Sequence, residues 1–204
     1  GQMLPSTFQA RLTTETGVPI STADRTAQST IFVTPYQGNR VCLYDGTRWR
    51  MYALAEVSLA LSGLTSGKNY DVFLYDNAGT LTIELSAAWT DDTTRADAIT
   101  TQDGVPVKSG ATTRRLVGTI RTTATTTTED SAAKRFVWNY WNRVKRFLKA
   151  ATETTDSWTY TTATFRQANA NANNQLMYVT GDATTLAEAV AQVIPVKSLR
   201  WITF

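Results

Sequence analysis

The sequence contains no histidine and one cysteine. Without imidazole, Ser-His-Asp and Cys-His nucleophile activation, His-based acid–base catalysis and nearly every transition-metal site are excluded. The single Cys42 permits no internal disulfide and no thiolate-rich zinc or iron–sulfur site. Within Val41-Cys42-Leu43-Tyr44 it reads as a buried, inert thiol. Five prolines are too few for a mucin-like stalk. Charged residues make up only 18% of the chain, below the usual share of about 25%. The net charge of +3 is a weak argument for a polyanionic partner. No apolar run reaches transmembrane length, and residues 1–30 carry no basic-then-apolar leader pattern. The expectation is a chain made in the cytosol, without membrane insertion or cofactor.

What chemistry survives these absences is carboxylate-pair catalysis, lysine nucleophiles and hard-cation binding. Asp91-Asp92 and Glu129-Asp130 are adjacent acids, but neighbours on a strand point to opposite faces and neighbours in a loop are commonly turn residues. A glycosidase needs two carboxylates facing one cleft, and nothing in the spacing supplies that. Gly63-Leu64-Thr65-Ser66-Gly67-Lys68 imitates a phosphate-binding loop. Its glycines are one residue too close, however, Asn69 replaces the hydroxyl that would hold magnesium, and a strand follows where a helix is required. The expectation is no catalytic residue, no metal site and no enzyme.

Present in excess is threonine, with 37 residues, alongside six Trp and eight Tyr. Threonine is β-branched and suits half-buried pleated surfaces. Alternating or apolar segments bounded by turn residues predict strands at 8–13, 29–35, 40–44, 49–52, 56–62, 70–75, 80–85 and 115–122. Asp45-Gly46 and Asp76-Asn77-Ala78-Gly79 read as hairpin turns. Residues 88–97 read as irregular or briefly helical. The fold class predicted is mainly β: antiparallel β-sandwich or jelly-roll-like modules with one or two short helices.

The threonine tract from Thr122 to Thr128, followed by Glu129-Asp130, suggests a boundary. It divides an N-terminal sandwich-like module, 1–121, and a linker, 122–130, from a C-terminal β-rich module, 131–204. In the last, Phe136, Val137, Tyr140, Trp141 and Val144 fall on one face of an amphipathic helix. Further strands are expected at 158–166 and 176–180, with a polar Ala/Asn loop between them. The ending Leu199-Arg200-Trp201-Ile202-Thr203-Phe204 is apolar enough to require cover, from its own sheet or from a neighbouring copy.

Residues 134–149 hold six of the 20 basic residues and no acid, interleaved with aromatics. Three readings compete: aromatics packed in the core with solvated cations, a subunit interface, and a single-stranded nucleic-acid surface. Phe136, Trp138, Tyr140 and Trp141, with Trp201 and Phe204, are the candidate interface residues. Trp49 and Trp158 are candidate glycan platforms, although burial in the core explains each more simply.

The segment Thr34-Pro35-Tyr36-Gln37-Gly38-Asn39-Arg40 with Leu43-Tyr44-Asp45-Gly46 resembles a stretch found in phage tail-fibre-like and virion proteins. So do Leu64-Thr65-Ser66-Gly67-Lys68-Asn69-Tyr70-Asp71-Val72, Lys108-Ser109-Gly110-Ala111-Thr112-Thr113-Arg114-Arg115 and Ala133-Lys134-Arg135-Phe136-Val137-Trp138-Asn139-Tyr140. The resemblance spreads loosely over residues 7 to 180 and brings no catalytic residues. It implies a homotrimeric or otherwise symmetric tail or head fibre, appendage or decoration component of the virion. Its expected partners are its own copies, other virion proteins and a host-surface glycan. A free carbohydrate-binding module is the alternative, and a single-stranded nucleic-acid binder is a third.

Overall fold

The computed structural model describes residues 4–150, 159, 164 and 167–181. The chain is built from short strands: β1 (Ala10–Thr13), β2 (Arg25–Gln28), β3 (Thr30–Pro35), β4 (Arg40–Tyr44), β5 (Trp49–Ala53), β6 (Val57–Ala60), β7 (Asn69–Asn77), β8 (Thr80–Leu85), β9 (Ile99–Gln102), β10 (Val105–Lys108), β11 (Ala111–Ala124), β12 (Thr127–Asp130), β13 (Lys134–Arg135), β14 (Val137–Asn139) and β15 (Met177–Tyr178). It is mainly β, as its threonine and aromatic content predict. Its one helical element among the described residues is a 3-10 turn at Ala168–Ala170.

The organising strand is β11, 14 residues long. β7 runs antiparallel along one edge, from Leu74 opposite Arg115 to Asn69 opposite Arg121. On the other edge lie β10, with Val107 opposite Arg115, and then β14, with Trp138 opposite Thr119. β8 extends the sheet beyond β7. A smaller antiparallel sheet, β1-β3-β6, packs over it, with the β4–β5 hairpin beside them. Leu12, Ile31 and Val33 from the small sheet meet Tyr70, Val72, Leu74, Val117 and Ile120 from the large one in a single core.

Two expectations are overturned. Residues 122–130 are not a linker: Thr122 and Ala124 end β11 and pair with Thr128 and Thr127 of β12 across a hairpin. The Thr122 hydroxyl, fully buried, donates to the Thr65 carbonyl at 2.6 Å and accepts the Lys68 N–H at 3.1 Å. The threonines therefore anchor the Gly63–Lys68 turn, and β14, beyond the tract, lies in one sheet with β7 and β11. No module boundary falls there.

Nor is there a helix over residues 131–142, which form β13 and β14. The misleading pattern has a physical cause. Val137 packs towards the main core, whereas Phe136 and Trp138 are buried on the opposite side. A strand covered on both faces gives a continuous apolar run, which periodicity cannot separate from a helix. The expected strand at 176–180 is present as the short β15, and the Ala/Asn tract forms the 3-10 turn and loop before it. Residues 160–163, 165–166 and most of the expected strand at 158–166 lie outside the described residues.

Candidate functional site

Aromatic and basic residues at 134–149 divide into an inner and an outer set. Inside, Phe136 and Trp138 are buried. Trp138 meets Tyr140 edge-on at 5.8 Å between centroids, and Tyr140 meets Trp141 at 5.1 Å. Trp141 packs on Phe8 at 5.9 Å, and its indole N–H donates to the Leu116 carbonyl at 2.8 Å. Of the candidate interface residues, Phe136 and Trp138 are thus occupied within the chain's own sheet, and Tyr140 and Trp141 are half-buried beside them. Trp201 and Phe204 lie outside the described residues, as does Trp158. Trp49 is buried, with its indole N–H donating to Asp103 at 2.8 Å, and presents no platform to a glycan.

Beneath Trp141 lies Arg115, fully buried and with no carboxylate partner among the described residues. Its Nη1 donates toward the carbonyls of Pro5 at 2.8 Å, Thr7 at 3.1 Å and Cys42 at 2.5 Å, and its Nη2 toward Ser6 at 3.2 Å. The rings of Trp141, Phe8 and Trp49 lie 4.2, 4.9 and 5.9 Å from the guanidinium carbon. Burial pushes its pKa down to about 9, so it is a cation at neutral pH, held by carbonyl dipoles and ring faces. This clamp joins the residues before β1 to β4 and β11.

On the other face of the large sheet, buried Asp71 accepts from Trp89 Nε1 at 3.0 Å, Arg95 Nε at 2.8 Å and Thr119 Oγ1 at 2.8 Å. Burial raises its pKa against the opposing pull of Arg95. The acid pairs noted in the sequence are divided between separate partners. Asp91 closes a turn by accepting the N–H groups of Thr93 and Thr94, while Asp92 pairs with Arg121 at 2.7 Å. Glu129 holds Ser131 and Lys134, while Asp130 holds Arg135 at 3.0 Å and Arg146 at 3.2 Å. Neither pair aims both carboxylates into one cleft. A cleft of about 760 Å³ lies between Asp45, Arg48, Arg50, Tyr52 and Asp76. Its acids are engaged too, Asp45 by Arg50 and Asp76 by the Tyr52 hydroxyl.

The outer set is different. From 143 to 150 the chain forms no strand or helix, and exposure alternates strictly, with Arg143, Lys145, Phe147 and Lys149 outward. Phe147 is 88% exposed. Arg143 lies over the rings of Trp138 at 5.1 Å and Tyr140 at 5.7 Å. The backbone is pinned at two points: Arg135 Nε donates to the Phe147 carbonyl at 3.1 Å, and the Lys149 N–H to the Ala132 carbonyl at 2.8 Å. Arg135 is in register with Tyr178 of β15, so their side chains leave the same face of the strand pair. Tyr178 is 48% exposed. The burial of Phe136 and Trp138, set by pairing with β11, leaves Phe147 as the outward ring of the 134–149 segment.

No family model, curated protein or solved structure matches this chain.

Proposed function

We propose that the chain is a non-enzymatic structural or adhesion component of a tailed-bacteriophage particle, assembling as a symmetric homotrimer and contacting the host surface. The observation that carries this reading is the use of ionisable groups as internal ties. Arg115 binds the residues before β1 to two strands, and Asp71 binds β7 to β11 and to the 89–95 loop. Buried charges committed in this way are unavailable for proton transfer or nucleophilic attack, and they slow the opening of the sheets. A protein that must persist on a particle is selected for slow unfolding rather than turnover. The resemblance of segments between Thr34 and Tyr140 to virion proteins supports the same reading, and the trimeric form proposed is what that resemblance implies.

The test is to raise antibody against the purified chain and look for it on intact particles by electron microscopy and by mass spectrometry of gradient-purified particles. Light scattering on the purified protein checks the trimer. Absence from particles rejects the virion assignment, and a monomer at micromolar concentration rejects the symmetric assembly.

A further inference from the structure

We infer that the outer edge of β5 pairs with the same strand of a second copy of this chain, antiparallel and about a two-fold axis at Met51. The inference goes beyond the particle role proposed above and does not depend on it. β4 and β5 form a two-stranded sheet, and no described strand pairs with β5 on its other side. The Cys42 N–H points away from β5, donating to the Thr7 carbonyl at 3.0 Å. In an antiparallel ladder, bonded and non-bonded pairs alternate. Cys42 opposite Met51 is therefore a non-bonded pair, and Met51 turns its N–H and C=O outward. The same alternation turns out those of Trp49 and Ala53. Both ends of the hairpin keep it: the Asp45 N–H meets the Arg48 carbonyl at 3.0 Å, and the Leu54 N–H meets the Asn39 carbonyl at 2.7 Å. No described residue bonds these outward groups. The edge of β1 is treated in the opposite way, with Asn139 and Asn142 bonded along it.

An open strand edge is a template for another strand, and self-complementarity identifies the occupant. With the axis at Met51, that residue faces its own copy and Trp49 faces the Ala53 of the second copy. The outward set maps onto itself, and every outward group of β5 finds a partner. A register shifted by two residues in either direction sets Trp49 or Ala53 opposite a residue outside the strand.

The side chains agree in charge. Arg50, Tyr52, Asp45 and Asp76 line the open cleft of about 760 Å³. The axis sets Arg50 directly across from Tyr52 of the second copy, and the Tyr52 hydroxyl is bonded to Asp76 at 3.0 Å. The guanidinium thus reaches a ring and a carboxylate, and the symmetry repeats the contact. Asp45 holds only the Nε of Arg50, leaving its Nη groups without a described partner. Exposed cations on an edge strand commonly deter pairing. Here Asp45 beside Arg50 and Asp76 across from it remove that obstacle.

Five residues a side make a small interface beside the roughly 1,200 Å² of stable complexes, so the association is weak. Sedimentation of the full chain from about 1 μM to about 1 mM reads it. Expected is a doubling of mass with concentration: monomer to dimer, or trimer to hexamer where the three-fold assembly also forms. Ala53→Pro removes an outward N–H at an exposed position, which an edge strand tolerates. It should weaken the doubling by about tenfold or more. Arg50→Glu and Asp76→Lys should each weaken it too, and an equimolar mixture of the two variants should restore it. Met51→Cys should cross-link between copies under mild oxidation, because bonded pairs stand about 5.5 Å apart at Cα, within disulfide range. Thr47→Cys, in the turn, should not, and buried Cys42 stays out of the reaction.

No doubling up to about 1 mM overturns the inference. So does doubling that Ala53→Pro and both charge variants retain, or equal cross-linking of Met51→Cys and Thr47→Cys. A trimer that never doubles rejects this inference alone, and a monomer that forms only dimers rejects the three-fold assembly alone.

Discussion

The side-chain amide of Asn139 lies against the backbone of Leu12 as a neighbouring strand would, accepting its N–H at 2.7 Å and donating to its carbonyl at 2.9 Å. Asn142 continues the edge, its Nδ2 donating to the Phe8 carbonyl at 2.7 Å and the Ala10 carbonyl at 3.0 Å. Two asparagines thus satisfy the free edge of β1 and join the small sheet to the large one. Asn139→Leu should leave both Leu12 groups buried and unpaired, at about 1–3 kcal/mol for each lost partner. Urea unfolding should show a lower midpoint at unchanged slope.

Arg115 gives a second expectation. Arg115→Ala removes the donor shared by four carbonyls and leaves a cavity among three rings. We expect a loss of about 3–5 kcal/mol, the scale of breaking a buried charged contact. Residues 4–8 should become sensitive to limited proteolysis before the remainder of the fold. Arg115→Lys should recover only part of the loss, because an ammonium lacks the planar fork.

Glu56 carries a pH dependence. Burial raises its pKa, but hydrogen bonds from Thr16, Thr34 and the Gly17 N–H outweigh it and hold the carboxyl below its ordinary value. A depressed carboxyl contributes stability that is present above its unfolded pKa, about 4.3, and is lost as the pH falls through the lower folded value. Melting curves of the parent should therefore decline from about pH 5 downward. The same curves for Glu56→Gln should start lower at pH 7 and decline less.

Gly118 tests the central sheet. A Cβ there would run into the Trp138 carbonyl oxygen, which belongs to the paired backbone of β14 and cannot swing aside. Gly118→Ala should separate β14 from β11, exposing Trp138 and shifting its fluorescence to the red. An unchanged emission spectrum and melting temperature would refute the packing described.

Cys42 offers a simple check of the core. It is fully buried, and burial raises its thiol pKa. It should resist a thiol reagent in the native protein and react stoichiometrically in denaturant.

Apolar strands bounded by turn residues were legible in the sequence: β4 and β8 fall on the predicted ranges, and Ala78-Gly79 forms the expected turn, both residues at positive φ. β2, β9 and β10 were not. Arg25–Gln28 and Ile99–Gln102 have polar, half-exposed surfaces with no alternation. The Asp103-Gly104 turn, also at positive φ, joins β9 to β10 with apolar residues on its far side alone, Val105 and Val107, because Thr100, Thr101 and Gln102 lead into it. The exposed face at Phe147 was visible only as a basic aromatic stretch, since which rings turn outward depends on β14 pairing with a strand some 20 residues earlier.

The contact between Asn139 and Leu12 spans 127 residues. While the chain is being synthesised, β1 cannot acquire the side chain that covers its edge until well over half the sequence has left the ribosome. β11 likewise waits for β14 to complete its second edge. Such distant pairings make for slow folding, and an uncovered strand edge in the meantime is a template for joining other chains. Each nascent copy is therefore most open to joining its neighbours on the same message before Asn139 emerges.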